Sequence, residues 1–122
     1  MQADHLRVSV REEGPAAVVA IRGEVNALAE GQLASAYARA AELKPTLIVL
    51  DFAGVTYMNS AGIALIVGLL ATARKSGQRL AACCLVPHYV ELFEITRLVD
   101  YLTIFPDLAS AVASAVESSA DS

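Results

Sequence analysis

The chain has 122 residues, one domain's worth, with 56% hydrophobic residues, 18% charged residues and a net charge of −4. So high an apolar content excludes a disordered chain, and an acidic balance with nine scattered Lys and Arg excludes a nucleic-acid binder, which needs a basic patch. The longest uncharged apolar run, Ala61 to Ala71, is well short of the ~20 residues of a membrane span, and the polar, alternating N-terminus is no signal peptide, so no membrane insertion and a cytoplasmic location are expected.

Leu6-Arg7-Val8-Ser9-Val10-Arg11-Glu12 alternates apolar and polar residues, the pattern of a half-buried edge strand. Glu13-Gly14-Pro15 makes a turn. Ala17 to Ile21 is more uniformly apolar and so more central, and the two strands read as a hairpin. Gly23-Glu24-Val25-Asn26 leads into a helix expected over about Ala27 to Leu43. Asn26 caps it by accepting from the free N–H groups of its first turn. Leu28, Leu33, Tyr37, Ala40 and Ala41 mark its inner side, and Lys44-Pro45 ends it.

Leu47 to Leu50 is a short continuous apolar run, the mark of a strand buried on both faces. Phe52 to Asn59 reads as a connection carrying Gly54. Ser60 to Ser76 is a helix, with Gly77 as its stop. Asn59-Ser60-Ala61-Gly62 therefore places a small hydroxyl where a buried strand hands over to a helix. In open α/β sheets, strand ends and helix starts are where ligands and partners meet the domain.

Ser60 has two readings, which can coexist. It is a helix cap, the one favoured on sequence physics alone. Or it is a phosphate acceptor, because a phosphate there meets the free N–H groups of the helix start and the positive end of its dipole. Ala61 and Gly62 add no bulk that would keep another protein's active site away. The helix itself is apolar nearly all round. Ile63, Ile66, Val67 and Leu70 make one face, while Ala61, Ala64, Leu65, Gly68 and Leu69 fill the others. Such a helix wants burial on every side. Either neighbouring helices wrap it, or its outward side, where Leu65 and Leu69 are placed, meets a partner. The partner is favoured because Ser60 opens the same helix, and Ile63, Leu65 and Leu69 are the expected partner-binding residues.

Arg79 to Leu85 is a further strand, with Cys83 and Cys84 side by side in it. Neighbours on a strand point to opposite faces, so neither a bridge nor a shared metal is expected; both read as small buried hydrophobes. With His88 they fall short of the four ligands of structural zinc, and no metal or cofactor is expected. Pro87 opens a helix reaching Leu98, and Leu102 to Phe105 is a short last strand. Pro106 opens a final helix with Leu108, Val112 and Val116 at intervals of four, fraying over Ser118 to Ser122. Strands alternating with helices imply an α/β fold with a largely parallel sheet, to which the hairpin adds one antiparallel neighbour. Residues 1–117 read as one domain. There is no P-loop, and no histidine has an evident nucleophile partner, so no enzyme is expected.

The stretch LIVLDFAGVTYMNSAGIALIVGLLATARKSGQRLAA resembles the core of a STAS domain, the fold of bacterial anti-sigma-factor antagonists. VVAIRGEVNALAEGQL resembles that family's second strand and first helix, and LFEITRLVDYLTIFPDLASAV its C-terminal third, so the resemblance covers nearly the whole chain. It implies a mixed, mostly parallel sheet with an N-terminal hairpin, about four helices on one side of the sheet, and no catalysis of its own. It implies binding, in the unphosphorylated state, to an anti-sigma factor that is also a serine kinase, which frees the sigma factor. That kinase phosphorylates the acceptor serine and binding is lost; a PP2C-type phosphatase restores it. Ser60 matches the acceptor and Gly62 the glycine just after it.

Two positions depart from the family's pattern. The residue before the acceptor is usually Asp and is Asn59 here; the Gly-Glu-aliphatic-Asp motif ends here in Asn26. Both flank the acceptor in the family, so the site lacks two negative charges, which lowers the repulsion of a phosphate. Arg97 stands where a glycine often ends the third helix. Two other family roles are open: a STAS scaffold subunit of a signalling assembly without a phospho-switch, and the small STAS subunit of a lipid-transport ATPase.

Overall fold

Among the residues the computed structural model describes, 5–120, five strands and four α-helices alternate. Strands β1 (Arg7–Glu13) and β2 (Ala16–Val25) form the antiparallel hairpin, turned at Gly14 with φ of 59°, a left-handed backbone that glycine takes without strain. Strands β3 (Leu47–Met58), β4 (Leu80–Cys83) and β5 (Thr103–Phe105) then add in parallel, and the sheet runs β1-β2-β3-β4-β5. Helices α1 (Glu30–Glu42), α2 (Ser60–Ser76) and α3 (Pro87–Ile95) connect successive parallel strands, and α4 (Leu108–Ala120) comes after the last one. The mixed, mostly parallel sheet expected from the sequence is the one found.

The helices are not all on one side, as the resemblance implied. A parallel strand–helix–strand crossover is right-handed in nearly all cases. The strands succeed one another across the sheet in a single direction, so three right-handed crossovers put α1, α2 and α3 on the same face. There Leu33, Tyr37, Ile66, Leu70 and Phe93 pack on Val19, Ile21, Ile48, Leu50 and Phe52. Phe93 is fully buried and meets Phe52 edge-on at 6.5 Å between centroids; such a pair is worth about 0.5–1.5 kcal/mol beyond its burial. α4 lies on the other face. It approaches the sheet through Ala111 and Ala115, which pack with Val18, Leu47, Val49, Ala81 and Cys83. Val116, in step with Leu108 at intervals of four, is exposed.

Several boundaries differ from the sequence reading: β2 runs to Val25, β4 stops at Cys83 and α3 at Ile95, and three other differences are larger. β3 does not stop at Leu50 but runs on to Met58, so the expected connection is strand; its far half pairs β2 with shifts of register after Ala20 and Gly23. The first helix begins with a 3-10 turn, Ala27–Ala29, before α1 proper. α4 continues as helix to Ala120, past the expected start of fraying; residues 121–122 of that tail lie outside the described residues. Among the described residues no helix is long and apolar enough to cross a membrane.

Candidate functional site

The start of α2 is held against the end of β2. The Asn59 N–H donates to the Val25 carbonyl at 3.3 Å. Gly62, one turn later, lies so close to the same carbonyl that a Cβ there would sit 2.1 Å from the Val25 oxygen. Only glycine permits that approach. It also sets the rotation of the helix: with Gly62 facing inward, the later residues that point inward at helical spacing are Ile66, Leu69, Leu70 and Ala73, all buried.

That rotation corrects the sequence reading of the helix faces. Leu69, expected on the outward side, is 8% exposed and lies within the core. Leu65 and Ile63 are half-buried and pack on the same core. The outward side carries Ala64, Val67, Gly68, Ala71 and Thr72 instead. The apolar excess of α2 is thus largely accounted for by its neighbours.

The cap of α2 is Asn59, not Ser60. Asn59 has extended backbone (φ −93°, ψ −177°), and its Oδ1 accepts from the Gly62 N–H at 2.9 Å. The Asn59 carbonyl accepts the first helical bond, from the Ile63 N–H at 2.9 Å. Ser60 is the first helical residue and is exposed. Among the described residues no side chain caps the N–H groups of Ser60 or Ala61, so both remain donors at the positive end of the helix. The cap of α2 thus leaves the exposed Ser60 hydroxyl without a capping role.

Asn26 does for the neighbouring segment what Asn59 does for α2. Its Oδ1 accepts from the Leu28 N–H at 2.9 Å, capping the 3-10 turn. Asn26 directly succeeds Val25, so the two asparagines flank one backbone contact. Asn and Asp are equivalent as N-caps. The amides therefore keep the capping geometry a carboxylate would supply, without its charge, and each has an NH2 to donate.

The 3-10 turn that Asn26 caps shifts the phase of the residues leading into α1. Leu28, expected on the inner side of the helix, is 89% exposed. Tyr57, near the end of β3, is 52% exposed. The sequence pattern singles out neither as a surface residue. For Leu28 no sequence signal announces a 3-10 turn; for Tyr57 the unexpected extension of β3 hides its outward register. Behind the junction the Met58 N–H donates to the Tyr89 hydroxyl at 2.9 Å, tying α3 to the same point.

A second cluster lies on the α4 face. The cysteines were expected to point apart, but β4 ends at Cys83, and Cys84 turns into left-handed backbone with φ of 66°. The two sulfurs come to 3.5 Å. Asp51 pairs with Cys83 across the parallel register, and its Oδ1 accepts from the Ala53 N–H at 3.0 Å. Burial above all, then the neighbouring thiol and the Asp51 carboxylate, pushes the Cys83 thiol well above its ordinary range. Cys84 is raised too, chiefly by burial.

The family model of the STAS domain matches residues 7–111. A protein of Bordetella bronchiseptica, BtrV, named as a candidate anti-sigma factor antagonist, is 31% identical over 98 residues, 80% of this chain and 82% of its own. The crystal structure of an anti-sigma factor antagonist from Mycobacterium paratuberculosis superposes with a TM-score of 0.77 at 19% identity, covering 92% of this chain and 95% of that one. The structure of the Bacillus cell fate determinant SpoIIAA in its phosphorylated form gives a TM-score of 0.66 at 17% identity, covering 88% of this chain and 98% of that one. At these identities the two structures speak for the fold alone.

Proposed function

The chain belongs to the STAS domain family, and from that premise we propose that it is an anti-sigma-factor antagonist whose binding to a serine-kinase anti-sigma factor ends when that kinase phosphorylates Ser60. The observation that carries this reading is the division of labour at the start of α2: Asn59 caps the helix, leaving the Ser60 hydroxyl exposed and without a capping role. Ala61 and Gly62 beside it present no long side chain to an incoming active site. The protein does no chemistry of its own in this scheme. The kinase supplies the phosphoryl group, and a PP2C-type phosphatase removes it. All of these partners act in the cytoplasm.

The switch works at the surface. A phosphate on Ser60 adds about −1.5 to −2 charges at a helix N-terminus, where negative charge is favoured by about 0.3–1 kcal/mol at exposed sites. The N–H groups of Ser60 and Ala61 and the amides of Asn59 and Asn26 offer donors rather than repulsion. The domain therefore holds its fold on phosphorylation. A partner shaped for a neutral hydroxyl must instead desolvate a dianion against its own surface, which costs several kcal/mol if the charge is unpaired. Exposed Leu28 and Tyr57, with the half-buried Ile63 and Leu65, form the apolar part of the partner surface; buried Leu69 supports it from behind.

The test is to incubate the protein with its cognate kinase and ATP, map the phosphate by mass spectrometry, and measure partner affinity and thermal unfolding of both forms. Phosphate on Ser60, lost affinity and an unchanged or slightly raised melting temperature are expected. Phosphate elsewhere with Ser60 unmodified, or a large drop in melting temperature, would overturn the scheme. Retained partner binding with no phosphorylation at all would point to the scaffold role instead.

A further inference from the structure

We propose that Asp51, Cys83 and Cys84 form a binding site for a thiophilic divalent cation of the zinc class, with three protein ligands and a fourth position open to solvent. The ligand atoms of the three residues lie within 4.8 Å of one another. Tetrahedral zinc with Zn–S bonds of ~2.3 Å sets its two sulfurs about 3.8 Å apart. The observed 3.5 Å needs only a few tenths of an ångström of adjustment. A disulfide fits less well: adjacent Cα atoms are ~3.8 Å apart across a trans peptide, below the ~4.4–6.8 Å that a disulfide spans.

Three features of the fold build the site. The parallel register sets Asp51 beside Cys83 on the α4 face. The left-handed backbone at Cys84 brings its sulfur to the same side; without it, strand alternation would turn the second thiol away. A non-glycine residue in that conformation is uncommon, and such outliers gather at functional sites. Finally, Cys84 and Leu108, the residue that opens α4, both pack against the cluster on that face.

The surroundings provide entry and charge balance. An open pocket of about 500 Å³ reaches Asp51 and is lined by Arg11, Arg22 and Gly54 among others. The carboxylate uses one oxygen on the Ala53 N–H and keeps a second for a cation. On binding, the two thiol protons leave to solvent. Two thiolates and a carboxylate around a divalent ion leave one surplus negative charge, beside a pocket lined by Arg22 and by Arg11, which is also ion-paired to Glu13 at 3.0 Å. A water or a small anion takes the fourth position of the tetrahedron.

The probe is Cd(II), whose thiolate complexes absorb in the ultraviolet, titrated into the reduced protein, with Zn(II) as competitor. One equivalent with a sulfur-to-cadmium band, displaced by Zn(II), is expected. Cys84→Ser should lower the affinity about 100-fold and Asp51→Asn, which keeps an oxygen for the Ala53 N–H, about 10-fold or more. Zn(II) should raise the melting temperature of the wild type more than that of either variant. If Cys84→Ser does not fold, Asp51→Asn alone decides. Absence of the band in the wild type, or either variant titrating like the wild type, would overturn the site.

Discussion

Replacing Gly62 by alanine tests the contact that positions Ser60. The added methyl would meet the Val25 carbonyl oxygen at 2.1 Å, its carbon at 2.7 Å and the Val25 Cγ1 at 3.0 Å. A carbon approaches a carbonyl oxygen comfortably at ~3.3 Å, so the start of α2 would have to retreat by about 1 Å. It cannot do so and keep both the Asn59 bond to Val25 and the Asn59 cap on Gly62. Overpacking of this kind costs about 1–3 kcal/mol, and a weakened cap about 1 kcal/mol. Alanine's better helix propensity returns about 1 kcal/mol. The net loss is about 1–3 kcal/mol. For a chain of this length each kcal/mol shifts the melting temperature by about 4 °C, so Gly62→Ala should melt about 4–12 °C lower. Gly68, on the outward side of the same helix, is the internal control, because a Cβ there meets nothing within 4 Å. Gly68→Ala should gain the propensity term alone and melt about 4 °C higher. Thermal unfolding of the two variants side by side decides the matter. Equal shifts, or Gly62→Ala melting at or above the wild type, would refute the close packing of α2 on β2.

Three further outcomes are expected. Asn59→Ala should lower the stability measured by urea unfolding by about 0.5–2 kcal/mol, while Asn59→Asp keeps the cap and Ser60→Ala stays within about 0.5 kcal/mol of the wild type. Leu28→Asp should leave the melting temperature unchanged yet weaken capture of the anti-sigma partner by about tenfold or more, whereas Leu69→Ala should cost about 2–5 kcal/mol of stability. The Asp107 carboxyl accepts from the Ser110 N–H at 2.7 Å, which holds its pKa below the ordinary value. Its stabilising effect on α4 is therefore full above the unfolded value of about 3.9 and is lost as pH falls through the lowered folded value. An NMR titration should place its midpoint below 3.8.

Much of the frame is legible in the sequence because it is local. The bounds of α2 come from a small polar residue at the strand-to-helix join, a long apolar run and a stopping glycine, and Gly77 does take left-handed backbone with φ of 74°. The order of elements and the parallel sheet come from the alternation of patterns. The features that escape a sequence reading depend on contacts distant in the chain. The far half of β3 contains Gly54 and Thr56, and it is strand only because β2 pairs with it through two shifts of register. The inner face of α2 is set by the contact of Gly62 with Val25, which the helix's own apolar pattern does not reveal. The path of Cys84 turns on one left-handed residue. At the candidate site the serine and its flanking amides are legible, but sequence physics favours Ser60 as the cap, and the neighbouring Asn59 holds it.

The strand order has a consequence for how the chain assembles. Each strand after the first pairs with the one made just before it, so nothing has to be inserted between strands already in place. As the chain emerges from the ribosome, every new strand finds an existing edge, and the sheet can lengthen in one direction behind the hairpin. The helix preceding each of the three parallel additions is at hand to cover the newly built surface, leaving little apolar area open at any stage. α4 follows β5 and covers the opposite face of the sheet. Pulse-labelled hydrogen exchange reads that order: protection in β4 and β5 ahead of β2 and β3 would contradict it.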